Sequence, residues 1–486
     1  MSESLIPART RVAPSPTGDP HVGTAFMALF DLAWARKTGG QFVLRIEDTD
    51  QNRLVAGSED QIYESLAWLG LQPDEGPHVG GEHGPYRQSE RLTTYRPFVE
   101  QLIEAGHAYY CWCSSERLAE LRREQEQSKA SVTGYDRLCH GLTRGERAAL
   151  AGFSETPVVR MLIPDDVPLT FQDIVRGEVK APRPDDQVIL KADGFPTYHM
   201  AVVVDDHLMG INTVVRGEEW ISSTPKHILL YQWLGWQLPQ FAHMPLLRNT
   251  DKSKISKRKN PAARLMWFKE EGYLPEAVRN FLQLLGYAGG DEQEVKTFDQ
   301  FVDEFDWGKV NTVGPIFDLK KLDWLNGHYL RSLTPEELAD RIMAFEEANW
   351  TPSEEQVAVL RKAVPIIQER LVLLKDALPQ LDYLFVADGE LTVEDDAVAA
   401  LADNAAEVLD AAIAVAESVP FDTDSIQAGL KERLVEGMGI KPKFAFAPIR
   451  VAISGRRVSP PLFESMEILG RASSLARLRA LRSGLS

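Results

Sequence analysis

A chain of 486 residues is longer than one compact domain holds, and three to five domains are expected. An apolar fraction of 44% is enough for sizeable cores, while no stretch reaches the length of a membrane span or has the layout of a secretion signal, which points to a cytoplasmic protein. The formal net charge of −18 excludes a uniformly basic nucleic-acid binder, so any site for a polyanion must be a local cationic patch on an acidic background.

In chain order, residues 9–13 read as a short strand entering a Pro/Gly loop. A helix is predicted over 22–37, because Val22, Ala25, Phe26, Leu29, Leu32 and Ala33 share one face and Gly39-Gly40 closes it. Residues 42–46 form an apolar strand, followed by the acidic turn Glu47-Asp48-Thr49-Asp50. Ser58 with Gln61 reads as a capping box for a helix running to about Leu69. This β-loop-α-β order predicts an α/β, Rossmann-like catalytic domain with a parallel sheet over 1–107 and 189–240. The pattern changes at Ala108, and 108–188 reads as an inserted α+β domain. The first domain is expected to resume near Val188-Ile189-Leu190 and to continue through an apolar strand over 201–204. A further unit spans 241–330, and the rest is all-α, divided into 331–390 and 391–486. There Thr334-Pro335-Glu336-Glu337 and Ser353 to Gln356 open helices. Val398, Leu401, Ala405, Val408, Ala412 and Val415 form one apolar stripe on an Ala-rich helix.

Two motifs carry chemistry. Val12 to Thr24 reads V-A-P-S-P-T-G-D-P-H-V-G-T, and Lys254 to Arg258 reads K-I-S-K-R. In the first, Gly18 and Gly23 remove side chains where a nucleotide could pass. His21 offers a ring donor, and the following helix start adds backbone N–H groups and the positive end of a dipole. In the second, Lys254, Lys257 and Arg258 are mobile cations able to follow charge onto a leaving pyrophosphate, with Lys257 as the main phosphate contact. Alone, the first motif could be a Pro-rich turn and the second a solvated surface run. Together they are what clamping ATP from two sides requires.

The pair resembles the two signatures of class I aminoacyl-tRNA synthetases. L-R-I-E-D-T-D (44–50), G-P-Y-R-Q-S-E-R (84–91), P-T-Y-H-M-A-V-V-V-D-D-H (196–207), R-G-E-E-W (216–220) and H-M-P-L-L-R (243–248) extend the resemblance to the glutamyl-tRNA synthetase family over nearly the whole chain. The resemblance implies ATP-dependent attachment of L-glutamate to tRNA(Glu) through a glutamyl-adenylate, with transfer to a terminal 2′-hydroxyl. Mg²⁺ would arrive with ATP, the inserted domain would bind the acceptor stem, the helical C-terminal part would bind the anticodon, and the protein would be a monomer. It places Arg11, Ser15, Glu47, Tyr198 and Arg216 at the glutamate, with the two arginines on its carboxylates and Glu47 on its ammonium. It places Glu219 and Leu247 beside Gly18, His21, Gly23, Lys254 and Lys257 at the ATP, and Arg370 at the anticodon. Arg suits a carboxylate because its planar fork binds two oxygens and stays charged. Where relatives commonly carry an Asn, just after the Tyr or three residues on, this chain has His199 and Val202, leaving that hydrogen bond to His199 or to water. Whether tRNA(Gln) is also charged is left open.

All three cysteines fall between 111 and 139, a clustering that suggests a site instead of a disulfide framework. Cys111, Cys113, Cys139 and His140 supply three sulfurs and an imidazole, enough for tetrahedral Zn²⁺. His140 is adjacent to Cys139, which is awkward for two ligands, so Tyr135 or water is an alternative fourth ligand. Asp205-Asp206-His207 reads as a structural loop after a strand. Arg450 reads as a brace. Arg471, Arg477, Arg479 and Arg482 are either a basic patch or a solvated helix face. The closest rival is the glutaminyl branch, whose anticodon domains are β-barrels and so disagree with the helical third here. A nucleotidylyltransferase would be much shorter, and an inactive RNA-binding module would have no chemical need for His21 or K-I-S-K-R.

Overall fold

The computed structural model describes residues 5–128, 133–287 and 293–485. Residues 1–269 with 278–319 form one compact unit, and 270–277 with 320–486 form another. In the first unit, strand β1 (Arg9–Val12) leads through the Pro-rich loop into helix α1 (Val22–Thr38). Gly39 ends α1 at φ 68°, a left-handed cap in which its N–H returns to the Ala35 and Arg36 carbonyls. Strand β2 (Gln41–Leu44) then runs parallel to β1, with Arg11 opposite Val43. Phe26 and Phe30 on α1 are fully buried, and Phe30 meets Phe301 and Phe305 edge-on at 5.8 Å.

Helix α2 (Ser58–Trp68) differs from expectation at its start. Gly57 is the cap, and no side chain caps the helix. Ser58 Oγ instead donates to the Gly18 carbonyl (2.7 Å) and accepts from the Gly18 N–H (3.1 Å), pinning the Pro-rich loop. After α3 (Leu92–Glu104) come β3 (Ala108–Cys113), α4 (Ser115–Gln127), α5 (Arg144–Ala148), β4 (Phe153–Met161), β5 (Thr170–Asp173), β6 (Gly177–Lys180) and β7 (Val188–Leu190). β3, β4 and β7 make an antiparallel sheet. Val188–Leu190 therefore belongs to the inserted sheet, not to the resumed first domain. The β5–β6 hairpin goes the other way: the Ile174 N–H donates to the Phe241 carbonyl at 2.9 Å, which brings it against the strand over Gln240–Met244.

Residues 201–204, expected as a strand, lie in helix α6 (Tyr198–Leu208). They are buried on every side, and a continuous apolar run fits a buried helix as well as a buried strand. Strand β8 (Thr213–Gly217), helix α7 (Thr224–Trp233) and strand β9 (Gln240–Met244) follow, with β8 and β9 parallel. β8 lies beside β1, since the Asn212 N–H donates to the Arg9 carbonyl (3.1 Å) and the Arg11 guanidinium to that of Val215 (3.1 Å). Among the described residues no helix is long and apolar enough to cross a membrane.

The second unit is helical. Thr334 with Glu337 and Ser353 with Gln356 form the expected capping boxes. The stripe expected from Val398 to Val415 is split: a short helix covers Asp395–Ala399, and the long one starts at Ala405, with Val408, Ala412 and Val415 buried. Leu338, Leu360, Val364, Val408, Ala412, Ile449 and Leu478 share one core, so no break in packing falls at 390/391. Each such buried aliphatic side chain contributes about 1.5–3 kcal/mol.

Candidate active site

β1 ends at the loop that turns into α1, and the turn is closed by His21. His21 is the N-cap of α1, its Nδ1 accepting from the Gly23 N–H at 2.9 Å. A Cβ at position 23 would lie 3.0 Å from that nitrogen, which is why glycine fits. The first turn of α1 carries no acidic side chain, so its free N–H groups keep their positive field. Burial, then the nearby Lys257, holds the His21 pKa below its usual value, so the ring is neutral at pH 7.

The K-I-S-K-R stretch docks on this loop. Ile255 is buried and donates its N–H to the Leu247 carbonyl (3.0 Å), which leaves the flanking lysines exposed. Lys257 Nζ donates to the Asp19 carbonyl, and Lys254 Nζ pairs with Glu219 at 3.2 Å. Arg264 pairs with Asp19 at 2.6 Å, and the Leu265 N–H donates to the Pro20 carbonyl at 2.9 Å. Arg258 is exposed.

Beside His21 lies a cavity of about 260 Å³ that brings together Arg11, His21, Gly23, Glu47, Tyr198 and Arg216. Ser15 is exposed and lies outside this lining, as do Gly18, Glu219, Leu247, Lys254 and Lys257. Arg11 is buried and paired with Asp206 at 3.0 Å; Asp206 also takes Arg45 at 2.7 Å. Burial raises the Glu47 carboxyl to about 7, against the opposing pull of Arg45 and Arg11. Tyr198 stacks on Trp220 at 4.2 Å. Arg216 is only 5% exposed, and no aspartate or glutamate among the described residues pairs with it. Burial lowers its pKa, the reverse of the rise at its carboxylate-paired neighbour Arg11. The cavity thus offers one acid and one uncompensated cation, a complement to a small molecule carrying both an ammonium and a carboxylate.

Sequence reasoning missed Trp220, Arg45, His227 and His243, which shape or brace this cavity. Trp220, Arg45 and His243 stand inside the motifs that the resemblance quotes, and that was the available signal. Asp205-Asp206, expected in a loop, sit instead in the last turns of α6, where Asp205 takes Arg91 (2.7 Å), Gln88 and Tyr95. They are structural, as expected. His199 does not line the cavity and bonds to His227 at 3.1 Å, while Val202 is buried in the core, so neither takes the place of the usual Asn at the cavity wall.

The three cysteine sulfurs converge within 4.8 Å of one another, and Tyr135 Oη lies 3.3 Å from two of them. His140 is exposed, edge-on to Tyr109 at 5.2 Å, and stands outside the cluster, in a tight turn where the His140 N–H donates to the Arg137 carbonyl. Arg117 and Arg147 approach Cys113 at 3.6 Å. Hydrogen bonding from Cys113 and Cys139 pulls the Cys111 thiol below its usual value. Three sulfurs, a phenol oxygen and nearby guanidinium groups to offset thiolate charge fit a Zn²⁺ ion.

In the helical unit Arg370 is exposed at a cavity of about 240 Å³ shared with Ile366, Tyr383, Arg456 and Pro460. Arg450 donates to Ser459 and Pro460, bracing the fold as expected. The C-terminal arginines are not a free patch: two are spent inside the fold and two make surface ion pairs. Arg471 caps the carbonyls of Ala416, Glu417 and Val419, Arg477 is buried on three carbonyls and Asp388, and Arg479 and Arg482 pair with Glu417 and Asp410.

Residues 7–324 match the family described as tRNA synthetases class I (E and Q), catalytic domain, and residues 337–482 match an anticodon binding domain. The chain is 65% identical to a glutamate–tRNA ligase of Cutibacterium acnes over 98% of both chains. It is equally identical to one of Acidothermus cellulolyticus, over 97% of this chain and 94% of the relative. A crystal structure of a glutamate tRNA ligase from Elizabethkingia meningosepticum, solved with its amino acid, superposes with a TM-score of 0.86 at 32% identity, over 99% of this chain and 100% of that one.

Proposed function

Because the chain belongs to the class I tRNA synthetases of the glutamate and glutamine branch, with glutamate–tRNA ligases as full-length relatives, we propose that the cavity beside His21 binds glutamate and that the K-I-S-K-R loop closes on the phosphates of ATP. The chain is an ATP-dependent ligase that joins glutamate to tRNA through an adenylate, the general route of its class. The observation that carries the site assignment is the buried Arg216, unpaired by any carboxylate among the described residues, in a cavity that His21 also lines.

Glutamate enters with one carboxylate on Arg216, the other toward Arg11, and its ammonium on Glu47. A carboxylate oxygen attacks the α-phosphorus of magnesium-bound ATP, and pyrophosphate leaves. Charge grows on the phosphate oxygens, where the neutral His21 ring and the N–H groups opening α1 act as fixed donors. Lys257 leaves the Asp19 carbonyl and Lys254 leaves Glu219, and both move onto the departing pyrophosphate. The 2′-hydroxyl of the terminal adenosine then attacks the activated carbonyl, and AMP leaves.

Arg370 and its cavity contact an anticodon base of tRNA(Glu), and the β3–β4–β7 sheet carries the acceptor stem. Zn²⁺ held by Cys111, Cys113, Cys139 and Tyr135 organises that inserted domain; metal analysis of unchelated protein returning near one Zn²⁺ per chain is the expected result, and a metal-free, fully stable protein would refute it. The protein works as a cytoplasmic monomer. Aminoacylation with purified tRNA(Glu) and tRNA(Gln), supplied separately with labelled glutamate and glutamine, tests the whole reading: glutamate on tRNA(Glu) is expected, and charging with glutamine alone would sink it.

A further inference from the structure

Behind the cavity wall, Arg216 sits at the centre of a hydrogen-bonded chain that none of the steps above uses. Its Nε donates to His243 Nε2 (3.0 Å), Nη1 to His227 Nδ1 (2.9 Å) and Nη2 to Thr224 Oγ1 (2.8 Å). All three acceptors are buried, and none carries a negative charge.

A guanidinium can only donate, so it fixes the proton positions along the chain. His243 must present a bare Nε2, and its Nδ1–H donates to Asp173 at 2.6 Å. His227 must present a bare Nδ1, so its proton sits on Nε2, directed at His199 Nδ1 (3.1 Å). His199 then carries its proton on Nε2, which faces Lys226 Nζ at 3.3 Å. Lys226 donates in turn toward Gln187 Oε1 at 3.4 Å. Burial acts in the same sense on every member: it holds His243 at about 4 and His199 at about 3, and it lowers both His227 and Lys226.

The other cavity arginine is built differently. Arg11 has Asp206 as an internal counter-ion, and Arg216 has none among the described residues. We infer that His227 is a specificity-determining residue: by accepting from Arg216 while staying neutral, it leaves that guanidinium dependent on an incoming carboxylate and so sets the preference for glutamate over its amide. This rests on the reading that Arg216 binds a substrate carboxylate. A neutral amide placed there would strand a desolvated cation, whereas a carboxylate at position 227 would satisfy the cation from within and remove the penalty.

His227→Asp and His227→Asn test this, since both place an oxygen near the Nδ1 position and differ in charge. Glutamate and glutamine are compared by pyrophosphate exchange on the full chain with tRNA present, with thermal melting to check folding. His227→Asn is expected to keep the preference within about threefold, and His227→Asp to lose at least about tenfold of it, chiefly through a higher KM for glutamate with little change in kcat. If the two variants discriminate equally, whether both keep the preference or both lose it, charge at position 227 is not what sets it and the inference falls. If His227→Asp does not fold, ¹⁵N NMR of histidine-labelled wild-type protein decides, with the His227 signal assigned by its loss in His227→Asn. The neutral tautomer protonated at Nε2 is expected at pH 6, and an imidazolium there would overturn the inference. Arg216→Gln separates the two layers: an unchanged glutamate KM in that variant would defeat the underlying reading, not the role of His227.

Discussion

Glu47 shows how one side chain ties pH to substrate. Its carboxyl is raised to about 7 by burial, so in the empty protein it is half protonated near neutrality. An ammonium guest requires the charged form, so the KM for glutamate is expected to rise as pH falls from 8 to 6, with release of a proton on binding that calorimetry in two buffers detects. The effect on stability has the opposite sign. The folded pKa lies above the unfolded one, so this group's contribution is present at low pH and lost as pH rises from about 4.5 to about 7, on the order of 3 kcal/mol at most. Glu47→Gln should therefore melt higher than wild type at pH 8 and bind glutamate weakly at every pH. His21 separates two roles in the same way. Its Nδ1 caps α1, and its other nitrogen, which faces the Ile255 backbone, is the one left to donate to phosphate. His21→Asn should keep the cap and the melting temperature yet lose about 10²–10³ in adenylate formation, while His21→Ala should lose the same rate and about 1 kcal/mol of stability besides.

At the scale of elements, the cationic stretch is held by its one apolar residue. Ile255 is 2% exposed, and its N–H is taken by Leu247, so Lys254 and Lys257 stand on a fixed base with mobile ends. Lys257→Ala is expected to slow adenylate formation about 10²-fold with little change in the KM for glutamate, measured by rapid quench. The same scale shows what the sequence could disclose. β1, α1 and β2 were legible because a period of 3.6 separates two short apolar runs and glycine closes the helix. Residues 201–204 were not, because burial on all sides erases the period that tells helix from strand. The Ser58 hydroxyl expected to cap α2 turned instead to Gly18, a partner forty positions away that no local rule reveals. The cysteine cluster was legible from spacing alone, and only Tyr135 in place of His140 required three dimensions. The cavity arginines were named through the resemblance, whereas the neutral partners of Arg216 come from β9 and α7, and their convergence is a property of the fold.

For the molecule as a whole, the acidic surplus of −18 is offset locally, and the C-terminal arginines spend their charge on structure. Arg477, 2% exposed and donating to the carbonyls of Tyr383, Ile453 and Val386, should cost 3 kcal/mol or more when changed to Ala, roughly the penalty for stranding buried polar partners. Arg482→Ala, which breaks only a surface pair, should cost about 0–1 kcal/mol in the same denaturant titration. Arg370→Ala should leave melting unchanged and lower kcat/KM for tRNA. The guanidinium at position 216 leans only on neutral partners, and that has a consequence in salt. A buried cation without a carboxylate of its own acts as a local anion-exchange point, even with Glu47 elsewhere on the cavity wall, so chloride competes there with the substrate carboxylate. Apparent glutamate affinity should weaken in chloride relative to a bulky sulfonate at equal ionic strength, and Arg216→Gln should abolish that difference.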